Sequence, residues 1–87
     1  MKKHTRLYLD AMGYDVSDWI PCEVCEMNQG IDIHHINSRG MGGTKKPDTI
    51  DNLMALCREC HVTHGDIKEL KPKLEYIHQL RMKERGL

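Results

Sequence analysis

The chain has 87 residues, 39% of them hydrophobic and 30% charged, with thirteen Lys and Arg balanced by thirteen Asp and Glu. With no Phe, one Trp and three Tyr, it predicts a single domain over 1–87 whose core is too thin to stand without a staple. No apolar run approaches the roughly 18–20 residues of a membrane span, and Lys2 and Lys3 precede no signal-peptide core; a membrane protein, a secreted precursor and a large multidomain enzyme are set aside, and a cytoplasmic protein is expected.

Residues 4–12 read as a short helix ended by Gly13. Residues 15–21 form a connector, with Trp19 and Ile20 expected to pack near a metal site at the first cysteine pair. Residues 31–36 alternate Ile with polar side chains, the period of a strand. Residues 37–48 hold three Gly and one Pro in twelve positions, which is loop composition. Residues 53–56 are short and apolar, a second strand expected to pair back on the first. Beyond Cys57 the chain turns helical through His61 and His64 as far as Gly65. Pro72 opens a final helix over 72–84, with Leu74, Ile77 and Arg81 on one face. Leu74, Ile77 and Leu80 fit a core or a partner surface equally. Lys71, Lys73, Arg81, Lys83 and Arg85 read as a solvated face, and His4 and His78 as surface residues.

Charge is distributed unevenly. Residues 1–30 carry three basic and five acidic side chains, whereas residues 61–87 carry six basic and four acidic. A polyanion is therefore expected to meet the middle and C-terminal parts, although a neutral chain cannot grip nucleic acid by bulk charge.

The cysteines fall as Cys22-x-x-Cys25 and Cys57-x-x-Cys60, with 31 residues between the pairs. A Cys-x-x-Cys turn aims two thiolates at one point, and two such turns complete a tetrahedron around zinc at Zn–S distances of about 2.3 Å. Two disulfides fit a reducing compartment poorly, and a redox motif needs one such pair near a βαβ pattern that is missing here. Cys22, Cys25, Cys57 and Cys60 are thus read as a structural zinc site, whose binding energy becomes folding energy.

Four of the six His fall in two groups, His34-His35 and His61…His64, with Asn52 between them. A hairpin packed on the helix after Cys57 brings His34 and His61 together as a transition-metal site. Adjacent strand residues point to opposite faces, so His34 and His35 take different roles at the strand's end.

Cys-x-x-Cys, Ile33-His34-His35-Ile36, a loop containing Gly-Met-Gly-Gly, then Asp51-Asn52-Leu53 and Cys57-x-x-Cys60-His61 together resemble an HNH endonuclease, in particular the small zinc-stabilised kind of phage and prophage genomes. The resemblance covers about residues 22–65. It implies an α+β fold, a ββα-metal finger with flanking helices, and metal-dependent hydrolysis of DNA phosphodiesters. It implies His35 as general base and Asn52 as the residue that holds the His35 side in place. His34 and His61 are implied as ligands of a catalytic Mg²⁺, Mn²⁺, Ni²⁺ or Zn²⁺, with His64 a further candidate. Arg39, Lys45 and Lys46 on the loop are plausible phosphate holders.

Rival readings differ in class. One is a zinc-knuckle DNA-binding module that never cuts, or an accessory of a partner such as a phage packaging terminase or recombination protein; another is a protein-interaction adaptor. His61 as a zinc ligand beside Cys60 is a further alternative.

Overall fold

In a computed structural model, which describes residues 2–37 and 48–87, helix α1 (Lys3–Met12) leads through a long connector to strand β1 (Asp32–His35). A 3-10 turn (Ile50–Asn52) then feeds strand β2 (Leu53–Leu56), followed by a single helical turn, α2 (Arg58–Cys60), that continues as a π-turn (His61–Gly65). A second 3-10 turn (Lys68–Leu70) precedes helix α3 (Lys71–Glu84). Most of the Gly-rich loop, with Arg39, Lys45 and Lys46, lies outside the described residues.

The two strands pair antiparallel, with Asp32 opposite Leu56, His34 opposite Met54 and His35 opposite Leu53. Every residue of β2 is buried, because the sheet is covered on both faces. Leu53 and Ala55 pack on Tyr8, Leu9 and Met12 of α1. Met54 and Leu56, pointing the other way as strand alternation requires, pack with Cys22, Cys57, Cys60 and Leu74. The cysteines are therefore part of the second layer's core. Helix α1 ends where Gly13 adopts φ 80° and returns its N–H to the Leu9 carbonyl, a left-handed cap that favours glycine.

Helix α3 has Pro72 in its first turn and buries Leu74 and His78, while Ile77 packs against the cysteine-side core and Leu80 is largely exposed. His78, expected at the surface, is fully buried. Its Nδ1 donates to Glu23 Oε1 at 2.7 Å and its Nε2 to the Ile50 carbonyl at 2.6 Å. With the Glu23 carboxylate ionised, both partners are acceptors and both ring nitrogens donate, the pattern of an imidazolium. Glu23, inside the first Cys-x-x-Cys, also accepts from Tyr8 Oη at 2.6 Å and from the Ala55 N–H at 3.2 Å. This network ties α1, the first cysteine turn, β2 and α3 together. Burial alone lowers the His78 pKa, but the Glu23 hydrogen bond and charge, with the Ile50 carbonyl and Asp51, outweigh it and raise it above the ordinary value.

A group whose folded pKa is raised contributes stability that is complete below its unfolded pKa, about 6.5 for His, and is lost as pH rises through the folded value. Replacing His78 by Gln should destabilise the zinc-loaded protein by about 3–5 kcal/mol at low pH, since the Glu23 carboxylate is left buried without its cation. That gap should narrow as pH rises. Denaturant titrations of both proteins across neutral and mildly alkaline pH check this; a gap that ignores pH would mean that His78 is neutral.

Three further expectations are corrected by the same packing. Arg81 is not solvated: it reaches the Glu23 carbonyl at 3.0 Å and Glu26 at 2.7 Å. Arg85 donates to the Met12 carbonyl at 2.6 Å and lies over the Tyr14 ring at 4.1 Å, closing the end of α1. Trp19 is 56% exposed, and Ile20 joins the α1-side cluster instead of the cysteine side. The connector turns outward at Asp15, whose N–H bonds Asp18 Oδ2 at 2.7 Å. No helix among the described residues is long and apolar enough to cross a membrane.

Candidate metal centres and active site

The two Cys-x-x-Cys turns converge. The sulfurs of Cys22, Cys25, Cys57 and Cys60 all lie within 4.8 Å of one another, and all four are free thiols. The first turn bends sharply after Cys25, where Glu26 takes a φ of 57° and its N–H bonds the Cys22 carbonyl at 2.9 Å. Beyond it the Asn28 and Met27 backbone N–H groups, in that order of effect, bring the Cys25 thiol down to about 7. On the second turn Cys57 caps α2, its sulfur accepting from the Cys60 N–H at 3.4 Å. Four soft donors around one point, three of them buried, suit zinc.

A second group of donors sits above the sheet. Asp32 and His34, two apart on β1, share the face that meets the π-turn. The rings of His34 and His61 lie 4.7 Å apart, centroid to centroid, and His61 Nε2 is 3.8 Å from Asp66 Oδ1. One ligand atom each from His34, His61 and Asp66 falls within 4.8 Å of the others. His34 Nε2 is buried and has no hydrogen-bond partner among the described residues. A buried polar atom left in that state is costly, and a metal ion bound by two imidazoles and a carboxylate removes the cost. The donor set therefore fits a divalent cation. Burial first, then the His61 charge, holds the His34 pKa below the ordinary value, so the ring is neutral with a lone pair to donate.

On its other side His61 Nδ1 meets Asp32 Oδ2 at 3.0 Å, and Arg58 Nε meets the same oxygen at 3.1 Å. The His61 hydrogen bond, joined by the charges of Arg58 and His61, outweighs the opposing effect of burial and holds the Asp32 carboxyl below its usual range. Neither Asp32 nor Asp66 stood out in the sequence. Gly65 brings the π-turn close: a Cβ there would lie 2.7 Å from His61 Cδ2 and 3.2 Å from Leu56 Cδ1, so only glycine lets the ring seat.

His64 is outside this group, its Nδ1 being 2.7 Å from Thr63 Oγ1. The wider winding of the π-turn separates it from His61, which an α-helix would place on one face at that spacing.

His35 points away from His34, toward α1. Its Nε2 is 3.0 Å from Asp48 Oδ1, and its ring lies 4.8 Å from that of His4. Donor atoms of His4, His35 and Asp48 form a third group within 4.8 Å. His4 is thus part of the histidine surroundings and not an isolated surface residue. Although the two rings diverge, His34 and His35 line one open groove of about 250 Å³ together with Gly65, Asp66, Lys68 and Lys71. Asn52 anchors the chain beyond β1, its Oδ1 accepting from the Asn37 N–H at 2.8 Å and its Nδ2 donating to the Asn37 carbonyl at 3.0 Å.

An antiparallel hairpin, a helical segment returning across it, imidazoles at their junction and a four-thiol cluster on the same face of the sheet define a ββα-metal finger. A family model described as HNH endonuclease matches residues 22–66, 45 of the 87 residues in the chain. The chain belongs to the HNH endonuclease family, whose domains act on DNA. No curated protein and no solved structure matches it significantly.

Proposed function

We propose that this protein is a metal-dependent endonuclease that hydrolyses DNA phosphodiester bonds. The observation that carries the reading is the convergence of one donor atom each from His34, His61 and Asp66 within 4.8 Å, beside a buried His34 Nε2 that has no hydrogen-bond partner among the described residues, on the same groove as His35. His34, His61 and Asp66 hold the divalent ion, and the four cysteines hold a separate zinc. When bound in that position, the ion supplies charge neutralisation at a phosphoryl oxygen and at the leaving 3′ oxygen.

His35 is the general base. A proton shared with Asp48 at Nε2 leaves the lone pair on Nδ1, and the carboxylate steadies the imidazolium that forms. Water loses its proton to His35 as its oxygen bonds to phosphorus. The P–O3′ bond breaks, the 3′ oxygen takes up a proton from solvent water, His35 returns its own to solvent, and the ends are a 5′-phosphate and a 3′-hydroxyl. Asn52 holds the backbone two residues past His35 and so sets the direction of the strand's end. Lys68 and Lys71 on the rim, with Arg39, Lys45 and Lys46 of the loop, hold flanking phosphates.

Supercoiled plasmid incubated with the zinc-loaded protein and added Mn²⁺ or Mg²⁺ should be nicked or linearised, and EDTA brief enough to spare the cysteine site should stop the reaction. Retarded but uncut DNA would favour the non-cutting module instead.

A further inference from the structure

Metal-ligating histidines usually donate their second ring nitrogen to a carboxylate or carbonyl, which fixes the tautomer and aims the ring. The geometry points to Asp32 as that residue for His61: it positions the ligand without belonging to the donor group. This rests on the metal site proposed for His34, His61 and Asp66.

Strand alternation places Asp32 and His34, two positions apart, on one face of β1. The π-turn crosses that face, so the His61 ring lies 4.7 Å from that of His34, with Nδ1 toward Asp32 and Nε2 toward Asp66. Asp32 Oδ2 lies 3.0 Å from His61 Nδ1. A carboxylate can only accept there, so Nδ1 carries the proton and the lone pair is on Nε2, the nitrogen nearer Asp66. Arg58, one turn earlier, holds Asp32 in turn, with Nε 3.1 Å from Oδ2 and Nη2 3.5 Å from Oδ1. Arg58 is largely exposed, and an exposed ion pair contributes little to stability. Its consequence is orientation: Asp32 is kept from turning its own oxygens toward the metal, and His61 from rotating its ring. The chain Arg58–Asp32–His61 is therefore a strut that presents Nε2 to the ion.

The test uses the full-length, zinc-loaded protein. Nitrogen-15 spectra of the histidine rings without added Mn²⁺ should give His61 as the Nδ1–H tautomer, and D32A should shift it toward Nε2–H. Mn²⁺ titration followed by electron paramagnetic resonance should give a dissociation constant about 10–100-fold weaker in D32A than in the parent, with zinc content and circular dichroism unchanged. Loss of a merely structural contact would not move the tautomer. An Nε2–H tautomer in the parent protein, which requires no variant to fold, overturns the assignment, as does unchanged Mn²⁺ affinity in folded D32A. A parent protein with the expected tautomer but no Mn²⁺ binding would instead overturn the metal site itself and, with it, the role of Asp32.

Discussion

Chelating the cysteine-bound metal, or replacing Cys57 by Ser, should unfold the protein. Cys22, Cys57 and Cys60 are in the same buried cluster as Ile36, Met54, Leu56 and Leu74, so a metal held by them would sit at the centre of that layer. Cys57 is 4% exposed, stands 3.9 Å from the Cys25 sulfur and caps α2. Without the metal, four thiols within 4.8 Å contribute little more than small apolar side chains, and burial drives the Cys60 thiol strongly toward its protonated form. Structural zinc contributes apparent free energies of about 10–16 kcal/mol near neutral pH, against a net stability of about 5–15 kcal/mol for ordinary domains. The loss exceeds what the rest of an 87-residue chain supplies. Circular dichroism and thermal melts with and without chelator read the outcome. A metal-free protein that still melts in one sharp transition would contradict the role given to the cysteines.

His35→Ala should lower DNA cleavage by about 10²–10⁴-fold, the usual contribution of a general base, while zinc content and DNA affinity stay close to the parent. The side chain is 22% exposed and its neighbours are His4 and Asp48 on the α1 face of the sheet, so truncation leaves the cysteine cluster and the His34–His61–Asp66 group on the other face undisturbed. The contrast with His34→Ala is informative. That variant should lose Mn²⁺ binding as well as activity, whereas His35→Ala should keep the ion and lose only the chemistry. Single-turnover cleavage alongside Mn²⁺ binding separates the two. Full activity in His35→Ala would move the base elsewhere.

Much of this arrangement is legible in the residues themselves. The spacing of Cys22, Cys25, Cys57 and Cys60 fixes how two turns can meet, and the alternation from Ile31 to Ile36 gives the strand. Pro72 marks the start of α3 to within a residue. What escapes a linear reading is what forms only on packing. Asp32 and His61 are 29 residues apart, and Glu23 and His78 are 55 apart. Nothing local distinguishes Asp32 from a solvated carboxylate or His78 from a surface histidine. Arg81 and Arg85 follow the same rule: a basic helix face supplies caps once backbone carbonyls of other elements lie opposite it. His64 turned on the winding of five residues, since π geometry and α geometry share one sequence pattern.

The location of the exchangeable ion tests the account most directly. Crystals of the zinc-loaded protein soaked in Mn²⁺ should give two anomalous peaks: zinc among the four cysteine sulfurs, and manganese bounded by His34 Nε2, His61 Nε2 and Asp66. Manganese between His4, His35 and Asp48 would make His35 a ligand and not a base, and would contradict the proposed mechanism.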